Sequence, residues 1–226
     1  GLLDQLTSAV GGIIFADFAD PQQPVLEKIH ADGLLPPGMS LCVTDTRGSH
    51  SELTGEFAAI RQEMEQIAAF LGKKVLGQVT ESAFWAALPA LRKACGDRAV
   101  LRAIHYFEEN ARTLAQRDAL QAGQFAVFAA LVLESGRAYL CAMTRMSTAA
   151  PMCGIRGFRW HWRCSQSILQ GSTGAWRMQG GGFAGTIQAF VPGMLTAKYH
   201  DAIEKVFGAG SCYLLRLREQ GALRVI

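Results

Sequence analysis

The sequence predicts an α+β fold in which a mostly antiparallel sheet packs against helices. Its middle indicates helices, because apolar residues between positions 53 and 140 recur at spacings of three and four. Strand-like segments lie on both sides of this region, at 13–18, 40–46, 175–179, 186–191 and 211–217. Strands that flank a helical region, rather than alternating with single helices, favour an antiparallel sheet.

The helical segments have boundaries that can be read from proline and glycine. The chain begins helical and becomes strand-like after Gly11 and Gly12. The first helix of the middle region ends at Gly72, and a second spans 81–94 with a kink expected near Pro89, because proline lacks a backbone donor. Two further helices follow, broken at Gly123, and a last one covers 193–207.

The composition indicates a globular chain without a marked charge. Half of its 226 residues are hydrophobic, which is enough for a core, and a net charge of +3 is too mild to indicate nucleic acid as a partner. No apolar run approaches the roughly 20 residues of a membrane-spanning helix, so we expect no membrane association and a cytoplasmic location. The six cysteines are scattered, and we expect reduced, mostly buried thiols.

A glycine-rich turn lies between two of the predicted strands. Positions 180–185 read G-G-G-F-A-G, which removes nearly every Cβ from a short stretch of backbone. Free backbone N–H groups in such a turn form a site for phosphate. The alternative is a tight turn between strands with no ligand, and the turn matches neither a Walker loop nor a dinucleotide-binding fingerprint.

Three motifs in the sequence resemble conserved segments of galactokinases. The residues W-R-M-Q-G-G-G-F-A-G-T at 176–186 resemble the family's third motif. The opening G-L-L-D-Q resembles its G-[IL]-[ML]-D-Q segment, and the residues from Asp45 to Phe57 resemble D-T-x-x-S-H…E-Y. Between them, 102–105 and 108–110 resemble a further galactokinase stretch. The order of the motifs is that of the family, so nearly the whole chain resembles the C-terminal part of a galactokinase of the GHMP kinase superfamily.

This resemblance implies that the chain contains portions of two domains. Residues 35–226 would form the GHMP kinase C-terminal domain, and residues 1–34 would be the end of the N-terminal kinase domain. The family's R-V-N-L-I-G-E-H segment for the sugar and G-L-S-S-S-A loop for ATP do not occur in the sequence. We therefore expect a fragment that is inactive alone.

The resemblance also implies the chemistry, which is transfer of the γ-phosphoryl group of ATP to the C1 hydroxyl of galactose. Asp4 falls on the family's catalytic carboxylate, which would accept the proton of that hydroxyl. Without the resemblance, Asp4 would be interpreted as a helix cap. Mg2+ would accompany ATP with ligands from the missing N-terminal part, and we assign no metal ligand here. The remaining implied site residues are Gly1, Asp4 and Phe57 for the sugar, and Gly180, Gly181, Gly182, Phe183, Ala184 and Gly185 for the phosphates.

One of these residues departs from the family pattern. Phe57 stands where galactokinases have a tyrosine that hydrogen-bonds galactose, so a contact worth about 0.5–1.5 kcal/mol is absent. The alternative is that Phe57 belongs only to the apolar face of its helix. Two other functions therefore stay open: another GHMP sugar kinase, such as one for N-acetylgalactosamine, and a non-catalytic galactose-sensing regulator. Nothing in the sequence indicates the oligomeric state.

A basic and aromatic stretch does not fit the family pattern. No Asp or Glu occurs from Ser135 to His200, while arginines surround Trp160, His161 and Trp162. A nucleic-acid surface is the less favoured interpretation. One hypothesis is a local shift of reading frame over 152–164; otherwise tryptophans occupy positions where small residues pack, and overpacking destabilises the core.

Overall fold

The computed structural model describes residues 3–20, 23–29, 35–48, 54–144, 153–180 and 185–222. Within these residues the strands are β1 Ile13–Asp17, β2 Val25–Ile29, β3 Met39–Asp45, β4 Ala175–Met178, β5 Thr186–Pro192 and β6 Cys212–Leu215. The helices are α1 Leu3–Val10, α2 Thr54–Phe70, α3 Glu81–Gln121, α4 Phe125–Thr144, α5 Cys153–Leu169 and α6 Gly193–Phe207, with a short 3-10 helix at Leu76–Gln78.

The strands form two antiparallel sheets. Four of them make one sheet in the order β4-β5-β3-β6, with Asp45 opposite Thr186 and Thr44 opposite Cys212. The other two, β1 and β2, form a separate ribbon in which Ile13 pairs with Ile29. Helices α5 and α6 pack on the larger sheet, and the α+β class with an antiparallel sheet is confirmed.

The long helix α3 breaks at Gly96, in agreement with the sequence prediction that one helix spans 81–94 and that others follow it. Gly96 has non-helical backbone angles, φ 83° and ψ 160°, whereas Pro89 lies inside the helix. The break at Gly96 follows from the ease with which glycine adopts a positive φ, and a kink near Pro89 stays a prediction. The predicted break at Gly123 is confirmed, because α3 ends at Gln121 and α4 begins at Phe125.

The ribbon adds one strand that the sequence pattern did not indicate. The five residues of β2 read V-L-E-K-I, and Ile29 alone among them is buried. The five side chains show no clear alternation of apolar and polar residues, so the sequence does not predict a strand there. The proposed boundary between residues 34 and 35 stays a prediction.

The aromatic stretch is part of the core of the larger sheet. Trp162 is 9% exposed and lies 5.5 Å from the ring of Trp176, measured between centroids. Gly136 on α4 makes room for it, because a Cβ there would lie 2.7 Å from Cζ3 of Trp162. Trp160, in contrast, is 64% exposed. A large side chain is thus accommodated next to a glycine, and the reading-frame hypothesis stays untested.

His161, beside Trp162, is the centre of a buried polar network. Its Nε2 lies 2.9 Å from the hydroxyl of Tyr199 and 3.2 Å from Oγ1 of Thr44. The hydroxyl of Ser165 lies 3.1 Å from Nδ1 of the same ring and 3.0 Å from the hydroxyl of Tyr199. Burial lowers the pKa of His161 to about 3, so the ring is neutral at ordinary pH and joins α5 and α6 to the centre of the sheet.

Candidate functional site

The glycine-rich turn connects β4 to β5 at one end of the larger sheet. Its base is closed by a hydrogen bond from the N–H of Gln179 to the carbonyl of Thr186, 3.0 Å long. Gly180 and Gly185 have φ values of 71° and 104°, which side chains other than glycine rarely adopt. A Cβ at Gly180 would meet no atom of a described residue within 4 Å. Residues 181–184, with Phe183 and Ala184, lie outside the described residues.

Thr46, just after β3, holds the second side of this turn. Its N–H and its Oγ1 hydroxyl both donate to the carbonyl of Gly185, at 2.9 and 2.7 Å. The side chain is buried, so these bonds are shielded from water. Two of the motifs that lie far apart in the sequence thus meet at one end of the sheet. Thr46 lies within the 45–57 motif, but the sequence alone gave no reason to assign it a role.

The chain turns sharply after Thr46 on its way to α2. Arg47 has φ 56°, and its N–H donates to Oδ1 of Asp45 at 2.8 Å. Its guanidinium contacts Oδ2 of Asp45 at 3.1 Å and the carbonyl of Ala209 at 3.4 Å. This turn fixes the direction in which the chain leaves the sheet. Phe57 follows in the first turn of α2, and its side chain lies outside the described part of the chain.

Asp4 lies in the first turn of α1, with an exposed side chain. The helix begins at Leu3, so Asp4 is its second residue and does not occupy the cap position of the alternative interpretation. Among the described residues no ion pair to Asp4 is formed. Gly1, the other expected sugar contact at this end, is outside the described residues.

The other end of α1 is held by the segment that follows β6. The N–H of Gly12 donates to the carbonyl of Arg218 at 2.7 Å, and that of Ala222 to the carbonyl of Ala9 at 3.0 Å. The approach needs glycine, because a Cβ on Gly221 would lie 1.9 Å from the oxygen of Ala9. The helix that carries Asp4 is thereby connected to the sheet that carries the glycine turn. That Asp4 faces the tip of the turn stays a prediction, since the tip is among residues 181–184.

The arginine of the glycine motif, on β4, forms an ion pair inside the protein. Arg177 contacts Oε1 of Glu109 at 3.5 Å, and the same carboxylate accepts hydrogen bonds from Arg112 and Ser135. We call these four residues the Glu109 cluster. Burial lowers the pKa of Arg177, while the nearby Glu109 raises it. Arg177 therefore anchors β4 to α3 and α4, a role that the sequence pattern did not reveal.

Other features of the described residues do not add to this site. No three His, Cys, Asp or Glu side chains in the described part of the chain are grouped as metal ligands. A groove of about 830 Å³ lies between β1 and the helices α2 and α3, but none of the predicted site residues lines it. Within the described ranges no helix is both long and apolar enough to cross a membrane.

Comparison with known proteins gives related sequences but no matching family model. The chain is 29% identical over 202 residues to a galactokinase of Actinobacillus pleuropneumoniae serotype 3 (strain JL03), covering 85% of this chain and 46% of that protein. A second galactokinase of Actinobacillus pleuropneumoniae is 28% identical with the same coverage. The chain thus spans about half the length of the relatives it matches.

A solved structure is similar over the whole chain. It is the galactokinase of Lactococcus lactis complexed with galactose, with a TM-score of 0.70 and 19% identity, and the match covers 100% of this chain and 56% of that one. At this identity the likeness concerns the fold. The chain therefore has a galactokinase-like fold, and its sequence is similar to galactokinases over most of its length.

Proposed function

We propose that this chain is the C-terminal half of an ATP-dependent sugar kinase that phosphorylates galactose at its C1 hydroxyl. The observation that carries the proposal is the meeting of two motifs at one end of the sheet, where Thr46 holds Gly185 with two hydrogen bonds. The sequence similarity to galactokinases supports the choice of substrate.

Asp4 is the proposed general base. Its carboxylate is exposed and forms no ion pair with a described residue, so it is available to a ligand. A carboxylate beside the attacking hydroxyl would accept its proton as the sugar oxygen bonds to phosphorus. The rest of the catalysis is alignment and stabilisation of charge on the phosphoryl group.

The glycine turn is the proposed contact for the phosphates of ATP. Gly180 and Gly185 have positive φ values, which are typical of glycine-rich anion-binding turns, and a Cβ at Gly180 would meet no described atom within 4 Å. Both strands that lead into the turn are anchored, β4 through Arg177 and β5 through the bond from Thr46 to Gly185. In the described part of the chain no three His, Cys, Asp or Glu side chains are grouped as metal ligands, and no step is assigned to Mg2+.

An assay of ATP-dependent phosphorylation of galactose by the complete gene product tests this function. We expect Asp4→Asn to lower kcat by about 10²–10⁴-fold with little change in thermal stability, since general-base catalysis contributes about that much. Asp201→Asn is the control, because Asp201 is also an exposed carboxylate in a helix, with a side chain 72% exposed. Full activity of the Asp4 variant would contradict the proposal.

Two further measurements distinguish the alternative functions. Faster turnover of N-acetylgalactosamine than of galactose would identify another sugar kinase, and galactose binding without turnover would identify a sensor. We also expect no galactose 1-phosphate from residues 1–226 alone, because the family's G-L-S-S-S-A loop does not occur in them. Turnover by this chain in the absence of any other protein would overturn that last expectation.

A further inference from the structure

Two buried cysteines that have no part in the proposed kinase chemistry lie on neighbouring strands. Cys42 on β3 is 0% exposed and Cys212 on β6 is 6% exposed, and both belong to the core of the larger sheet. In the register of these strands Cys212 is opposite Thr44, two residues from Cys42. Side chains two residues apart share one face of a strand, so the two thiols form a diagonal pair on the same face of the sheet.

The pKa values of the two thiols depend on each other. Interaction with Cys42 lowers the pKa of Cys212, and interaction with Cys212 together with burial raises the pKa of Cys42. His200 and the hydroxyl of Thr44 also lower the pKa of Cys212, while burial and Glu204 raise it. Cys212 is thus the thiol of the pair that ionises more readily, and the thiolate is the reactive form.

The position of β6 gives small molecules a route to this pair. It is the edge strand of the sheet, and Tyr213, Leu214 and Leu215 are each about half exposed, at 49%, 52% and 45%. Local opening of an edge strand requires less free energy than opening of the centre of a sheet. A small oxidant would reach Cys212 in this way, whereas a bulky one would not.

We propose that Cys42 and Cys212 form a redox-reactive pair in which a peroxide converts the two thiols into a disulfide between β3 and β6. The thiolate of Cys212 attacks one peroxide oxygen, the O–O bond breaks, and Cys212 becomes a sulfenic acid while hydroxide leaves. The sulfur of Cys42 then displaces the sulfenic oxygen as water, and the S–S bond forms. In total two thiols lose two protons and two electrons, and hydrogen peroxide is reduced to two waters.

Other cysteines provide matched comparisons within the same protein. Cys95 and Cys164 are partly exposed, and burial raises the pKa of both. Neither forms a disulfide in the described part of the chain. Neither is paired with another of the four described cysteines, so the expected product of its oxidation is a sulfenic or higher acid.

Peptide mapping of the complete gene product under non-reducing conditions tests the proposal. After treatment of the reduced, native protein with hydrogen peroxide, we expect a cross-linked peptide pair that contains Cys42 and Cys212 and weighs about 2 Da less than the two free peptides. The same treatment in urea should scatter the cross-links among all cysteines. Absence of the Cys42–Cys212 pair at a peroxide dose that oxidises Cys95 or Cys164, or its appearance only in urea, would overturn the proposal.

A variant gives a second, independent readout. In Cys42→Ser the resolving thiol is missing, so Cys212 should remain a sulfenic acid that dimedone labels, while Cys164→Ser should leave the cross-link unchanged. Labelling of Cys212 that is equal in the wild type and in Cys42→Ser would show that Cys42 does not resolve the sulfenic acid. The wild-type mapping needs no substitution, so a variant that fails to fold does not affect it.

Discussion

The Glu109 cluster predicts a large difference between two substitutions that remove a carboxylate from the same arginine. Arg112 contacts both Glu109 and, at 3.3 Å, Glu134. Its own side chain is 7% exposed, whereas those of Glu109 and Glu134 are 24% and 61% exposed. Replacing Glu109 with Gln leaves Arg112 buried with its main partner neutral. Replacing Glu134 with Gln removes a partner that lies mostly in water.

The expected losses in free energy of unfolding follow from how deeply each ion pair is buried. Removing one partner of a buried ion pair costs about 3–5 kcal/mol, and the partial exposure of Glu109 places the expected loss near the lower limit, about 3 kcal/mol. Ser135 and Arg177 lose the same acceptor, which adds to the effect. An exposed pair is worth about 0–1 kcal/mol, so Glu134→Gln should have little effect.

Urea unfolding followed by circular dichroism measures both free energies of unfolding. A chain of this size has a slope of about 2–3 kcal/mol per molar urea, so Glu109→Gln should lower the midpoint by about 1–1.5 M, and Glu134→Gln by about 0.5 M or less. The slope itself should not change. Losses that agree to within about 0.5 kcal/mol for the two variants would refute the reasoning, because burial would then not decide the strength of the pair.

Three other changes have expected outcomes. Gly136→Ala places a Cβ 2.7 Å from Trp162 and should lower the free energy of unfolding by about 1–3 kcal/mol, with partial recovery when Trp162 becomes Leu. Phe57→Tyr in the complete gene product should lower the KM for galactose by up to about tenfold, the equivalent of one hydrogen bond; an unchanged KM would contradict the assigned contact. The pKa of His161 is about 6.5 in the unfolded chain and about 3 in the folded one, because burial disfavours the charged ring. Lowering the pH from about 6.5 to about 3 should therefore reduce the free energy of unfolding of the wild type by up to about 1.4 kcal/mol per pH unit more than that of His161→Gln. Parallel pH profiles of the two proteins would contradict this.

Much of the fold could be predicted from periodicity and from glycine. The helix over 193–207 and the strands at 40–46, 175–179 and 186–191 agree with the structure to within a residue. Each of these segments has a regular apolar pattern or ends at a turn residue, so local rules decide them. The strand β2 was missed because its pairing with β1 is what makes it a strand, and pairing is not visible in five residues.

The contacts of the site were less accessible to sequence reasoning. The glycine turn was found, since four glycines in six residues are a local signal. The roles of Thr46 and Glu109 were not, because each depends on partners far away in the chain: Gly185 in one case, and Ser135 and Arg177 in the other. Neither separation produces a periodic pattern. Only the fold brings these residues together.

The two sides of the glycine turn are anchored in different ways, and this bears on how it would act on phosphate. On the β4 side Arg177 is held by a carboxylate between two helices, and on the β5 side Gly185 is held by Thr46 at the end of the neighbouring strand. An arginine that is engaged by Glu109 is not available to a phosphate, so within the described residues the turn can offer backbone N–H groups but not this positive charge. The anchored strand ends would keep Gly180 and Gly185 in place when an anion binds. In the proposed kinase this turn would therefore contact the phosphates through backbone N–H groups and not through the charge of Arg177.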